Sequence, residues 1–247
     1  MAPANPIKAS LFVTCIIDQL YPQVGVSVVR VLRRLGVEVD FPMDQTCCGQ
    51  PLFNAGYASE ARKLARRVLA SFQHSQYIVV PSGSCAAMLK VYLPELFAHD
   101  AALSVQSREL AAKVFEFSQF LAEVLKVSDA GGDRQCRAAY HPSCHLLREL
   151  GVREAPQKLL RQVSGLELVD LPQAETCCGF GGAFAVRYPH ISEKMLGDKL
   201  DNLKAAGADT LVACDMGCLM HIGGGSDRQR LGIKMRHLAQ ILDPEAE

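Results

Sequence analysis

The feature that most limits what this chain can form is a cysteine pattern that occurs twice in its 247 residues. In each half, a single cysteine is followed by an adjacent pair and a glycine, and then by another single cysteine. The gaps are 31 and 36 residues in the first half, and 32 and 39 in the second. The matched positions are Cys15, Cys47, Cys48 and Cys85, and then Cys144, Cys177, Cys178 and Cys218. Repeated spacing of this kind indicates an internal duplication.

Other segments return in the same order, which extends the duplication over most of the chain. Gln45–Gly49 returns as Glu175–Gly179, and Phe120–Leu125 is matched with His237–Leu242. Between the copies, the polar and glycine-bearing stretch Ser128–Asp133 is typical of a linker. We therefore predict two domains, residues 1–130 and residues 131–247, each of them one cysteine-rich repeat.

Short apolar runs alternate with helical patterns in both halves, which favours an α/β fold with parallel sheets and right-handed crossovers. We predict two pseudo-symmetric, Rossmann-like halves with mostly parallel sheets. The predicted strands are residues 10–14, 37–41, 77–80, 114–117, 137–141, 167–171, 210–213 and 232–235. The predicted helices are residues 24–35, 58–72, 119–125 and 191–206. Since ligands of such sheets bind beyond the carboxyl ends of the strands, all eight matched cysteines fall at the expected ligand end.

Ten cysteines are many for a protein that is expected in a reducing compartment. Its first residues lack the charged and apolar segments of a secretion signal, and no apolar run is long enough to span a membrane, so we expect a cytoplasmic protein. A reducing compartment makes disulfides a poor explanation and metal binding a better one. The formal net charge of zero gives no strong electrostatic reason to expect nucleic acid or an anionic membrane as a partner. Peripheral association with a membrane stays open.

The spacing also bears on which metal the thiolates would bind. Thiolate sulfur selects iron–sulfur clusters, zinc or copper(I) over hard cations. Structural zinc sites use short Cys-x2–4-Cys knuckles, which the matched sets lack. The cysteines of each set instead come from three distant segments, with two adjacent cysteines in the middle one. The side chains of adjacent residues diverge, which favours a metal cluster over a single ion. A cluster with several irons is therefore predicted, with zinc in one half as an alternative.

The doubled Cys…Cys-Cys-Gly…Cys pattern resembles the cysteine-rich, or CCG, domain family, which includes the cysteine-rich subunit of heterodisulfide reductase and the iron–sulfur subunit of glycolate oxidase. The text around Asp215–Gly224 is most similar to the lactate-utilization members of that family. The resemblance implies one or two [4Fe–4S] clusters and electron transfer in a complex that oxidises L-lactate or a related 2-hydroxy acid. It also implies two partners, a ferredoxin-like iron–sulfur protein and a third lactate-utilization subunit.

The sequence departs from the fullest family pattern, in which each motif ends Cys-x-x-Cys. Ser82 and Asp215 occupy the first of those two positions. Four thiolates per half suffice for a cubane cluster, while Cys214 and Asp215 are further candidate ligands in the second half. Two other functions stay open: a heterodisulfide-reductase-like enzyme acting at an open cluster site, and a zinc-bearing structural or redox-sensing subunit.

Three further side chains, two beside Cys144 and one near the linker, have simpler interpretations. His141 and His145 flank Cys144 and have no histidine counterpart in the first half, which favours packing or an indirect contact with the metal centre over ligation. Cys136 is unmatched and is interpreted as an ordinary thiol.

Overall fold

The computed structural model describes residues 6–246, and within that range the strands form two parallel four-stranded sheets with the same topology. The orders are β2-β1-β3-β4 and β6-β5-β7-β8. The strands are β1 Lys8–Leu11, β2 Glu38–Asp40, β3 Tyr77–Val80, β4 Val114–Glu116, β5 Asp133–His141, β6 Ser164–Val169, β7 Thr210–Ala213 and β8 Lys234–His237.

Helices connect successive strands and cover the sheets, as parallel pairing requires. In the first half they are α1 Cys15–Leu20, α2 Pro22–Arg34, α3 Gln50–Asn54, α4 Ala58–Phe72, α5 Gly83–Ala87, α6 Leu93–Leu96, α7 Ala101–Lys113 and α8 Phe117–Gln119. In the second half they are α9 Ala155–Leu160, α10 Ala183–Arg187, α11 Pro189–Ala206, α12 Met216–Arg228 and α13 Leu238–Leu242. Segments Met88–Tyr92, Phe120–Val124 and His145–Glu149 are single π-helical turns. Among residues 6–246, no helix combines the length and apolarity needed to cross a membrane.

The predicted fold class is confirmed, and several elements agree with the sequence to the residue. Strands β3 and β7 are short, apolar and almost fully buried, so their pattern is clear in the sequence. Strand β1 instead ends at Leu11, because Thr14 caps α1 and its side chain accepts a hydrogen bond from Ile17 N. Strand β5 is longer than predicted and starts at Asp133.

The matching of the final segments is wrong by four residues. Glu116 pairs with Val80 across β4 and β3, and His237 pairs with Ala213 in the equivalent strands. Each also caps the helix that follows. The counterpart of His237 is therefore Glu116 and not Phe120, because strand pairing defines equivalent positions better than local sequence similarity does.

The two halves share their largest hydrophobic cluster, and their contacts are reciprocal. Helix α5 packs against residues 145–149, and the equivalent α12 packs against α1. Likewise α13 packs against α2, while α8 packs against α9. Exchange of equivalent elements is the pattern of a twofold axis. The largest buried cluster accordingly draws Leu11, Val79 and Phe117 from one half and Tyr140 and Val212 from the other.

At the axis, the ends of β3 and β7 are joined by hydrogen bonds. The Asp215 carboxylate accepts from Ser82 Oγ at 3.0 Å and from the Ser84 amide at 2.9 Å, both across the halves. It also accepts from Gly217 N at 3.1 Å and so caps α12. The Gly83 amide donates to Cys214 O at 3.1 Å. The two positions that depart from the family pattern therefore form the link between the halves.

Replacing Gly83 by Ala is expected to destabilise the protein by about 1–3 kcal/mol through overpacking. A Cβ there would lie 2.7 Å from Leu146 Cβ and 2.8 Å from Ser143 Oγ, both in the opposite half. Gly197→Ala is the control, because a Cβ at that helical position meets nothing within 4 Å. It should raise stability by up to about 1 kcal/mol. Urea unfolding measures both, and equal effects would contradict the close approach at Gly83.

A buried carboxyl group also lies near the axis. Glu116 Oε2 accepts from the backbone amides of Ser118 and Gln119 at 2.8 and 3.2 Å and from Ser118 Oγ, while Oε1 has no partner among residues 6–246. Burial raises the pKa of Glu116 from 4.5 to about 7. The folded protein therefore holds this proton more tightly than the unfolded chain does.

Stability should consequently fall as the pH rises from about 4.5 to 7, and then level off, by an amount on the order of 3 kcal/mol from Glu116. Glu116→Gln keeps an acceptor for Ser118 and removes the titration. Urea midpoints of both proteins across this range measure the difference in pH dependence. An identical slope in the variant would show that Glu116 does not carry it.

Candidate metal centre

The structure brings the eight matched cysteines together beyond the carboxyl ends of the strands. Cys15 opens α1 directly after β1, and Cys85 lies in the first turn of α5 after β3. Ser82 fixes that turn, since its hydroxyl accepts from Cys85 N at 3.3 Å. The pair Cys47-Cys48 lies in the loop after β2. Three separate segments thus deliver four thiols to one place in each half.

In the first set the sulfurs are in close contact. Cys15 Sγ lies 3.9 Å from Cys47 Sγ, and Cys48 Sγ lies 3.3 Å from Cys85 Sγ. The Gly49 amide donates to Cys47 Sγ at 3.5 Å. The inner thiols Cys48 and Cys85 are buried, whereas Cys15 is exposed.

The second set repeats this arrangement. Cys178 Sγ lies 3.3 Å from Cys218 Sγ, and the Gly179 amide donates to Cys177 Sγ at 3.4 Å. Cys144 Sγ lies 3.6 Å from His145 Nδ1. As in the first half, the inner thiols are the second of the pair and the last of the motif.

The glycine after each pair is required by geometry. Gly49 and Gly179 have φ values of +86° and +89°, a region that side chains rarely adopt. A Cβ on Gly179 would also lie 2.8 Å from Ser192 O in α11. The same glycine lets the amide turn toward the first thiol of the pair.

One cavity of about 210 Å³ is lined by all eight thiols. Ser82 and Asp215 line the cavity where the two halves meet, and its second-half wall also includes Ser143, His145 and Phe180. The two sets are therefore neighbours across the twofold axis and face a common space.

The hydrogen bonds among the thiols give them different pKa values. Donation from Cys15 and then from Cys48 lowers the pKa of Cys47 to about 2, with a further contribution from Gly49 N. Cys177 has a pKa lowered to about 2 in the same way, by Cys144 and then Cys178. The pKa values of the donors Cys15 and Cys144 are raised, first by these hydrogen bonds and then by burial. One thiol of each set is thus held as the thiolate that metals bind.

The structure places the two further candidate ligands differently. Cys214 is fully buried in the shared core, 3.8 Å from Tyr140 Oη, and does not line the cavity. Asp215 does line it, but both carboxylate oxygens accept hydrogen bonds from protein groups. Cys136 is a half-buried thiol in β5.

Lys199, a fully buried residue of the second half, is not among the site residues predicted from the sequence. Its Nζ donates to Gln173 O at 3.1 Å and to Ala174 O at 2.9 Å, in the loop that precedes the Cys177-Cys178 pair. Its signal in the sequence is a lysine that shares one face of the helix with Leu196 and Leu203. His141, for which the sequence favours packing or an indirect contact, has a ring nitrogen within 4.8 Å of the Cys178 and Cys218 sulfurs.

The donor set fits a soft metal centre. All ten cysteines are free thiols, and each matched set offers four sulfurs with no carboxylate among them. Such an all-sulfur set matches an iron–sulfur cluster or zinc and disfavours hard cations.

The cysteine-rich CCG domain model matches the chain twice, over residues 9–90 and residues 138–223. The chain belongs to the CCG cysteine-rich domain family. Both matches contain one complete set of four thiols, so the duplicated motif and the family coincide.

Curated relatives align with nearly the whole chain. This chain is 49% identical over 237 residues to lactate utilization protein A of Geobacillus sp. strain WCH70, and the alignment covers 96% of this chain and 99% of that protein. Lactate utilization protein A of Oceanobacillus iheyensis is 46% identical over 241 residues, with 98% of each chain covered. The chain is thus similar over nearly its whole length to lactate utilization proteins A of two organisms.

A solved structure supports the fold alone. A hypothetical protein from Helicobacter pylori superposes with a TM-score of 0.67 at 12% identity. The match covers 97% of this chain and 49% of the other, so the chain spans about half of that protein.

The thiols of the reduced, metal-free protein should differ in their rates of alkylation. At pH 6, iodoacetamide is expected to modify Cys47 and Cys177 at least about tenfold faster than Cys48 and Cys178. The reason is that Cys47 and Cys177 are thiolates and are less buried. Peptide mass spectrometry after timed quenching measures each site. Cys136 is the internal control, since burial raises its pKa. Equal rates at both members of a pair would contradict the assignment.

Proposed function

We propose that this chain is the iron–sulfur electron-transfer subunit of a complex that oxidises L-lactate, or a related 2-hydroxy acid, to the 2-oxo acid. The observation that carries the proposal is the pair of matched four-thiol sets around one cavity. The CCG match and the lactate utilization relatives support an iron–sulfur subunit of lactate utilization, and the oxidation reaction is our extension of it.

Each half would hold one cluster of the [4Fe–4S] type. The ligands would be Cys15, Cys47, Cys48 and Cys85 in the first half, and Cys144, Cys177, Cys178 and Cys218 in the second. Such clusters, when bound, supply one-electron transfer. The chain itself fixes the thiols on short helices and loops at the strand ends, and the amides of Gly49 and Gly179 donate to sulfur.

The proposed complex contains a ferredoxin-like iron–sulfur protein and a third lactate-utilization subunit. Oxidation of a 2-hydroxy acid to a 2-oxo acid releases two electrons and two protons. Two adjacent one-electron centres can together accept both electrons. The exposed thiol Cys15 marks the side on which a partner's redox group can come close.

Two observations support alternatives. The common cavity favours an enzyme that acts directly at an open cluster site, as heterodisulfide reductase does; reduction of a mixed disulfide by the isolated protein would establish it. The sulfur–sulfur distances of 3.3 to 3.9 Å favour zinc, because two sulfurs on a tetrahedral zinc lie about 3.8 Å apart. A colourless protein with stoichiometric zinc would establish a structural or redox-sensing subunit.

Metal and sulfide analysis of the anaerobically purified protein tests the proposal. We expect about eight irons and eight sulfides per chain, with visible absorption that bleaches on reduction. Cys47→Ser and Cys177→Ser should each remove about half of the iron, while Cys136→Ser, outside both sets, should retain all of it. Full iron content in both ligand variants would contradict the ligand assignment, and zinc without iron would contradict electron transfer.

Activity is tested by reconstitution. The loaded chain, mixed with its ferredoxin-like and third partners, should reduce an artificial one-electron acceptor when L-lactate is added, with pyruvate formed in proportion. Loss of this activity with Cys47→Ser, but not with Cys136→Ser, is expected. Lactate oxidation by the partners alone at the same rate would remove this chain from the electron path.

A further inference from the structure

The residues that lie behind the two thiol sets differ sharply, although the sets themselves match. His141 is three residues before Cys144, and Phe12 is three residues before Cys15. In the crossover helices, Ser192 and Ala61 lie against the glycines that follow the cysteine pairs. Seven residues further along each helix are Lys199 and Val68. The second set is therefore backed by a histidine and a lysine where the first is backed by two apolar side chains.

Lys199 places a buried positive charge beside the second set. The residue is fully buried, and its Nζ is held by the carbonyls of Gln173 and Ala174. Burial lowers the pKa of Lys199, and the negative charge of Cys178, Cys177 and Cys218 acts against this effect. Within residues 6–246 it forms no ion pair with a carboxylate. Its charge is therefore directed to the sulfurs.

His141 adds a polar group that the protein leaves unused. Its side chain is 1% exposed, and neither ring nitrogen has a hydrogen-bond partner among the described residues. Most buried polar atoms have a hydrogen-bond partner, so the ring nitrogens of His141 call for one. Because a ring nitrogen lies within 4.8 Å of both the Cys178 and Cys218 sulfurs, a thiolate of the loaded site is the acceptor within reach.

The inner thiols of the two sets are equally shielded from solvent, whereas Cys15 is exposed and Cys144 is half-buried. Cys48 and Cys178 are 3% and 2% exposed, and Cys85 and Cys218 are both 9% exposed. Asp215 opposes Lys199, since its carboxylate also acts on Cys144 and Cys218. Three hydrogen-bond donors, two of them from the first half, already hold that carboxylate at the axis.

We propose that Lys199 and His141 raise the reduction potential of the second-half centre, so that this centre retains an electron more readily than its apolar-backed counterpart. Reduction adds negative charge to a cluster, and a nearby cation or a hydrogen bond to a ligand sulfur stabilises that charge. Both residues act through the thiolates and are positioning residues. The inference rests on the proposed function, because it needs a redox-active centre in each half.

The test is a redox titration of the anaerobic holoprotein followed by electron spin resonance. Cys47→Ser and Cys177→Ser first assign each signal to its half. Lys199→Val and His141→Phe, which copy the chemistry of the first half, should lower the midpoint potential of the second-half centre. We expect at least a tenfold change in its oxidised-to-reduced ratio at fixed potential, which is about 59 mV for one electron. The first-half signal should not move.

Two controls separate an electrostatic effect from a structural one. Lys199→Arg keeps the charge and should keep the potential. Lys90→Met removes a half-buried lysine that donates to Val114 O at 2.7 Å, at the opposite end of the first sheet, and should shift neither signal. If Lys199→Val impairs folding, His141→Phe and Lys199→Arg still give the comparison.

The possible outcomes separate the inference from the proposed function. Iron present with potentials unchanged in Lys199→Val and His141→Phe would overturn the inference and leave the proposed function standing. Equal shifts in both signals would overturn it as well, because the effect would not belong to the second half. A protein without iron would overturn the proposed function, and the inference with it.

Discussion

The carboxylate of Asp215 is the constraint on which the arrangement of this protein depends. By accepting hydrogen bonds from Ser82, Ser84 and Gly217, it fixes the ends of the two central strands against each other. That contact, together with the close approach at Gly83, sets the distance between the helices that bear Cys85 and Cys218. A polar link at the axis thus determines that both thiol sets face one cavity and not two separate surfaces.

The sequence predicts the parts of this fold that repeat. Duplicated spacing identifies the eight thiols, and short apolar runs such as those of β3 and β7 locate the central strands. It does not predict contacts that cross the axis, because a residue such as Asp215 is interpreted first against its own neighbours. The identity of the bound metal is likewise a question for analysis of the protein, since zinc and clusters both take four thiolates.

The two halves agree in the residues that gather the thiols and differ in the residues that lie behind them. Thiols, glycines and strand register correspond closely, because each is needed to gather four sulfurs. The residues behind the sulfurs carry no such requirement, and there Phe12 and Val68 of one copy correspond to His141 and Lys199 of the other. Lys199 escapes prediction because a lysine in the middle of an amphipathic helix is ordinarily a solvated one.

The reciprocal packing of α5 and α12 on the opposite halves has a consequence for how such a protein is built. A chain with a single copy would leave that face uncovered, and a second copy about the same twofold axis would be needed to close the cavity. Joining the copies turns a concentration-dependent association into an intramolecular one. It also frees each copy to mutate alone, so a symmetric pair of binding sites can become a donor and an acceptor on one polypeptide.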